Sequence, residues 1–179
     1  GLLGFVLNSV ATAQWNYAAY GVGERARFVK RAIKSLLEAY QAPASRALRR
    51  SGKFDVPAPI DHLAAKASEV VSLGNQAGEG WYLTAEMLEL IEEGVPNIIC
   101  AQPFACLPNH VTGKGMFREL RRRYPQANIV SVDYDPGASE VNQLNRIKLM
   151  ISTALARHAV PECEMLDGTP IDLVERLRV

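Results

Sequence analysis

Cysteine is scarce in this chain: Cys100, Cys106 and Cys163 are the three among 179 residues. A secreted disulfide scaffold carries more, usually in even number, so a disulfide framework is excluded and a reducing, cytoplasmic compartment is expected. An excess of one charge is also missing. Lys+Arg number 20 and Asp+Glu 19, leaving a formal charge of +1. That removes the electrostatic footprint of a nucleic-acid binder or of a polybasic membrane-surface protein. Long apolar runs are absent as well. The opening Gly1-Leu-Leu-Gly-Phe-Val-Leu7 is interrupted by Asn8, Ser9, Gln14 and Asn16 and has no basic start, so neither a membrane span nor a signal peptide is read there. No internal repeat or low-complexity segment is seen. A start at Gly1 and a stop at Val179 read as those of a piece cut from a longer protein.

What remains is ordinary globular composition, 48% hydrophobic and 22% charged, in a chain long enough for one domain with an appendage. The first forty residues have helical periodicity. Val6, Val10, Ala13 and Tyr17 form one stripe, Gly21-Val-Gly23 breaks it, and Phe28, Ala32, Ile33, Leu36, Leu37 and Tyr40 form a second with basic residues opposite. Residues 42–59, with Pro43, a basic run, Gly52, Pro57 and Pro59, read as a connection. The expected division is therefore 1–59, helical segment and connection, and 60–179, an α/β domain.

Within the second part, residues 60–71 suit a helix with Asp61 as its cap, and residues 84–93 another, with Thr84 as N-cap and Gly94 as its stop. Short apolar strands are expected around residues 97–100 and 129–132. Each is followed by a loop and a helix, over residues 113–124 and 140–157, and residues 171–177 suit a short closing helix. Strand, loop, helix repeated twice predicts an α/β fold with a small parallel sheet of Rossmann-like βα units.

Ligands of open parallel sheets gather beyond the carboxyl ends of the strands, which selects the loops 102–110 and 133–139. Cys106 stands between Pro103 and Pro108, near a helix start, a setting that suits a thiolate ligand or nucleophile; an inert buried thiol is the alternative. Cys100 lies inside the apolar strand and reads first as a core residue. The spacing from Cys100 to Cys106 does not make a zinc site or a thioredoxin-like pair. His110 either assists Cys106 or bonds the loop backbone. Asp133 and Asp135 are a weak cation pair or a turn signal. Arg118, Arg121, Arg122 and Arg123 read as a solvated helix face, with docking of an acidic partner as the alternative. Neither the Gly-Lys at residues 113–114 nor the glycines at 74, 78 and 80 have nucleotide-motif spacing.

Three stretches resemble the C-terminal part of bacterial acyl-CoA dehydratase activase-related proteins. They are Leu73-Gly-Asn-Gln-Ala-Gly-Glu-Gly-Trp81, Cys100-Ala-Gln-Pro-Phe-Ala-Cys-Leu-Pro-Asn-His110 and Asp133-Tyr-Asp-Pro-Gly-Ala-Ser-Glu-Val-Asn-Gln-Leu-Asn-Arg146. The resemblance is close over about residues 70–153. It implies a dehydratase-like domain in an ATP-dependent system that drives electrons into an iron–sulfur cluster, of the [4Fe–4S] kind, for 2-hydroxyacyl-CoA dehydratase-type or similarly difficult reductions. Cys106 falls at the cluster-ligand place, with Gln102, Asn109 and His110 as its neighbours and Cys100 as the second thiol of the region. Such a cluster takes about four ligands, so the others are expected from other domains of the parent chain or a dehydratase-like client. ATP belongs to those other domains, because the ATPase motifs are not in this chain, and the piece alone is expected to be inactive. Self-association is a further expectation. A cluster-free docking or small-ligand-binding module is the second reading, and a thiol hydrolase or transferase using Cys106 and His110 the third.

Overall fold

The computed structural model describes residues 2–53 and 55–159; Cys163 and the closing helix expected over 171–177 lie outside the described residues. The described residues are mostly helical, with one small parallel sheet. Helices α1 (Leu2–Tyr20), α2 (Glu24–Ser51) and α3 (Ile60–Ser68) precede α4 (Trp81–Glu92). Strand β1 (Asn97–Gln102) then leads through a π-turn and a 3₁₀ turn into α5 (Phe117–Arg123), β2 (Asn128–Asp133) and α6 (Glu140–Ala159). No helix among the described residues is long and apolar enough to cross a membrane.

Glycine ends and begins these helices where the backbone turns left-handed. Gly23, with φ 84°, precedes α2 and Gly52, with φ 59°, follows it, a conformation that costs glycine little. Between them the expected connection is mostly helix: α2 runs through Pro43 and the basic run to Ser51. Alanine, leucine and arginine dominate residues 36–50 and favour helix, and the exposed surface lets water take the carbonyl that Pro43 leaves unbonded. Asp61 does not cap α3. It sits in the first turn and pairs with Lys34 of α2.

Two apolar clusters form the interior. The first joins Leu7 and Ala11 of α1 to Ile60, Leu63 and Ala67 of α3 and Trp81, Tyr82 and Ala85 of α4. Packing thus crosses the expected boundary at 59, and α1 belongs with the elements that follow it. The second cluster joins Met87, Leu88 and Ile91 of α4 to Phe117 and Leu120 of α5 and Ile98 and Ile129 of the strands. Helix α4 is common to both, which is why its buried residues occupy more than one face. Along α1, Asn8 donates to the Glu79 carbonyl at 3.1 Å, and Asn16 and Gln76 exchange bonds at 2.8 and 3.2 Å. The polar residues that interrupt the apolar N-terminus are therefore its fasteners to the glycine-rich loop.

That loop has one severe steric requirement. Gly80 has φ 51°, and a Cβ there would lie 2.0 Å from the Asn75 carbonyl oxygen, which itself accepts the Trp81 N–H at 2.8 Å. Gly80→Ala is expected to destabilise the protein by more than the ~1–3 kcal/mol of a strained left-handed residue alone, since backbone must move. Leu120→Ala, at a fully buried position between the strands and α4, is expected to cost about 2–5 kcal/mol. Urea unfolding of the two variants against the parent chain measures both.

Candidate functional site

Strands β1 and β2 pair in parallel, in register from Asn97 opposite Asn128 to Gln102 opposite Asp133. Their carboxyl ends, and the loops that follow, are thereby brought to one edge. Side chains alternate. Ile98, Cys100 and Gln102 point to the side covered by α4 and α5, so Cys100 is half-buried against the second cluster.

The loop after β1 is a turn in which Cys106 N–H donates to the Pro103 carbonyl at 3.3 Å, with Ala105 in the left-handed region at φ 57°. A non-glycine residue there is strained. The chain then enters the π-turn Asn109–Gly113 rather than the α-helix expected from residue 113, and α5 begins only at Phe117. Gly115 lets the turn close before the helix: a Cβ there would meet the His110 carbonyl at 2.9 Å. Two buried threonines fasten the turn. Thr84 donates to the Thr112 carbonyl at 2.6 Å, and the Thr112 hydroxyl lies 2.6 Å from the Gly80 carbonyl and 2.8 Å from that of Pro108. Thr84 therefore does not cap α4, which already starts at Trp81; it holds the cysteine loop.

Asn109, buried by this turn, links the two thiols. Its Nδ2 donates to Cys106 Sγ at 3.1 Å, and Cys100 Sγ lies 3.6 Å from its Oδ1. Burial, and then the neighbouring Cys106, push the Cys100 thiol above its ordinary range. His110 is turned elsewhere, its Nδ1 3.0 Å from the Cys106 carbonyl, so it orders the loop and does not touch the sulfur. Gln102 is buried, donates Nε2 to Asp133 Oδ1 at 2.7 Å, and its Oε1 has no partner among the described residues. The residues selected in the first loop thus divide: Cys100, Cys106 and Asn109 form one cluster, Gln102 joins the second loop, and His110 stands apart.

The second loop closes over the first. Asp135 accepts the Phe104 N–H at 2.6 Å. Between them a cleft of about 530 Å³ is lined by Phe104, Asp133, Asp135, Ser139, Asn142 and Arg146, among others. Sequence reading placed these loops together but had no signal for the threonine fastening or for the amide between the thiols. The arginine cluster is more occupied than a solvated face would be. Arg121 donates to the Ile129 carbonyl, while Arg122 and Arg123 hold Glu119.

Fold and site together define a helical protein with a two-strand parallel sheet that carries two tethered thiols near its carboxyl edge. Comparison with protein-family models, with curated proteins and with solved structures returned no match.

A thiol–metal site needs soft sulfur donors that can lose their protons. Cys100 and Cys106 fit such a group as two donors of a larger set; among the described residues no group of three metal-ligating side chains completes it. The raised Cys100 thiol has a consequence of its own. The folded chain keeps this proton to higher pH than the unfolded chain does, so its contribution is constant below the ordinary thiol range and stability falls as pH rises through it. Unfolding midpoints of the parent and of Cys100→Ala between pH 7 and pH 10 are expected to diverge in slope, with the parent declining more steeply.

Proposed function

We propose that this chain is a dehydratase-like domain of Rossmann-like βα units from an ATP-dependent activase-related protein. In this reading it contributes thiolates to an iron–sulfur electron-transfer site. The observation that carries the proposal is the tethering of Cys106 and Cys100 to one carboxamide, Asn109, at the ligand edge of the sheet. The sequence resemblance at residues 100–110 and 133–146 supports it.

Cys106, on the turn, and Cys100, on the strand, would hold one side of the cluster; the other ligands would come from other domains of the parent protein or from its client. A bound cluster would supply one-electron chemistry at low potential. The chain's own residues do the positioning. Asn109 sets the sulfur directions, and its amide donor lowers the electron density on Cys106. Thr84 and Thr112 hold the turn rigid, and His110 braces the Cys106 carbonyl. Loss of the Cys100 proton, disfavoured by burial, would accompany metal binding.

The test is anaerobic iron and sulfide reconstitution of the parent protein that carries this chain, with and without Cys106→Ser. Visible absorption and iron and sulfide per chain are expected to fall clearly in the variant, because one ligand of the set is lost. Unchanged chromophore in Cys106→Ser would remove the cysteine from the site. A second reading, a cluster-free module that binds a small polar ligand, is favoured by the cleft of about 530 Å³ beside Phe104 and Asp133. No chromophore in either protein would select it.

A further inference from the structure

The balanced charge of the chain hides a segregation. Of a formal total of +1, helix α2 carries +6, with eight Lys and Arg against Glu24 and Glu38, and the remaining sequence carries −5. On α5, whose arginines offered an alternative docking face for an acidic partner, Arg121 is engaged with the Ile129 carbonyl and Arg122 and Arg123 with Glu119. On α2, Lys34 pairs with Asp61 and Glu38, and Lys30 donates to the Ser9 carbonyl at 2.8 Å. Arg46 bonds its own helix, through Nε to the Ala42 carbonyl at 3.2 Å. Among the described residues no carboxylate pairs with Arg25, Arg46 or Arg50, and all three are exposed.

Helix α2 is also turned against its own amphipathicity. It rests on α1 through a mixed side: Lys30 and Lys34 with their partners, Leu37 against the first apolar cluster, and half-buried Gln41, Ser45 and Leu48. Its apolar side is left outward. Val29 is 59% exposed, Ile33 43%, Leu36 70% and Tyr40 83%, and exposed Pro43 and Ala47 continue the line. These residues follow one another at alternating spacings of four and three, and fall within about 80° of arc around the helix. Such spacing marks the seam of a helix packed lengthwise against another helix. Exposed alanines flank the seam, Ala32 and Ala39 on one side and Ala44 on the other, so a second backbone can come close.

Charge selects the occupant. Arg25 borders one end of the seam, Arg46 and Arg50 the other, and Glu24 and Glu38 fall on the opposite side of the helix. Both ends are basic, so a second copy of α2 meets like charge whether it runs parallel or antiparallel. A helix that lies in a bilayer surface uses a broad face of bulky apolar residues; here the apolar line is one seam wide between alanines. We propose that α2 is the docking face for an acidic amphipathic helix of a partner protein. The apolar side of that helix seats along Val29, Ile33, Leu36 and Tyr40, and its carboxylates meet Arg25 at one end and Arg46 and Arg50 at the other. The inference does not rest on the iron–sulfur reading.

The test titrates the full chain into a labelled synthetic helical peptide of about three heptads, with leucine at its apolar positions and glutamate beside them. A second peptide carries lysine in place of glutamate, and fluorescence anisotropy reads binding. The glutamate peptide is expected to bind at least about 10-fold more tightly than the lysine peptide. Leu36→Asp, and Arg46→Glu combined with Arg50→Glu, are each expected to weaken it by at least about 10-fold. Leu36 is exposed, so Leu36→Asp is expected to keep the parent's urea midpoint, which separates lost docking from lost fold. No binding of the glutamate peptide, or binding that Leu36→Asp leaves unchanged, overturns the proposal. A full chain that sediments as a dimer and becomes monomeric in Leu36→Asp assigns the face to a second copy and overturns it. Sedimentation with phosphatidylserine vesicles that Leu36→Asp abolishes assigns the face to a membrane, with the same result.

Discussion

Two buried hydroxyls, Thr84 and Thr112, hold together what the rest of this molecule uses. Each gives its proton to a backbone carbonyl that burial removes from water, and an unpaired carbonyl there would cost about 1–3 kcal/mol. Thr84 belongs to α4, the helix shared by both apolar clusters, and Thr112 to the π-turn after the cysteine loop. Their bonds join α4, the glycine-rich loop at Gly80 and the turn at Pro108 in one place. Without that junction the loop bearing Cys106 and Asn109 would be tied to the rest of the protein only through the Phe104–Asp135 and Asn109–Cys100 bonds.

Rigidity at the junction explains why the thiol pair can be specific without being deeply buried. The loop accepts a left-handed alanine at Ala105, and the chain accepts a π-turn where an α-helix would be more regular. Irregular backbone of this kind persists where surrounding packing over-determines it. Here the surroundings are α4 on one side and the half-buried Cys100 on the other. The second loop adds to the same edge through Asp135 and Phe104, so two loops from consecutive strands share one rim.

The sheet itself is too small to be explained by its own interior. Two parallel strands leave an apolar face and a row of peptide groups exposed, and parallel sheets are ordinarily covered on both faces. One edge is closed by arginine and glutamine side chains, and among the described residues the other is bare. The bare edge and the proposed thiol site meet in β1, since the same strand carries Cys100.

Periodicity and composition determined the helices, the two strands, their parallel pairing and the pair of loops at the carboxyl edge. The elements are legible because each depends on residues within about ten positions of one another, and the parallel pairing because a helix connects the two strands. The helical character of residues 42–51 was obscured by Pro43 and the arginines, whose exposure makes them tolerable in a helix but also makes them look like a connection. Asn8 and Asn16 read as interruptions until α1 was seen against the glycine-rich loop. Cys106 could be chosen from sequence, but its link to Cys100 could not. Asn109 joins the two sulfurs because the turn closes tightly at Gly115 and Thr112 is held by Thr84 of α4, 28 residues away in the chain. Local propensity decides elements; contacts between residues distant in sequence, which only packing brings within bonding distance, decided the site.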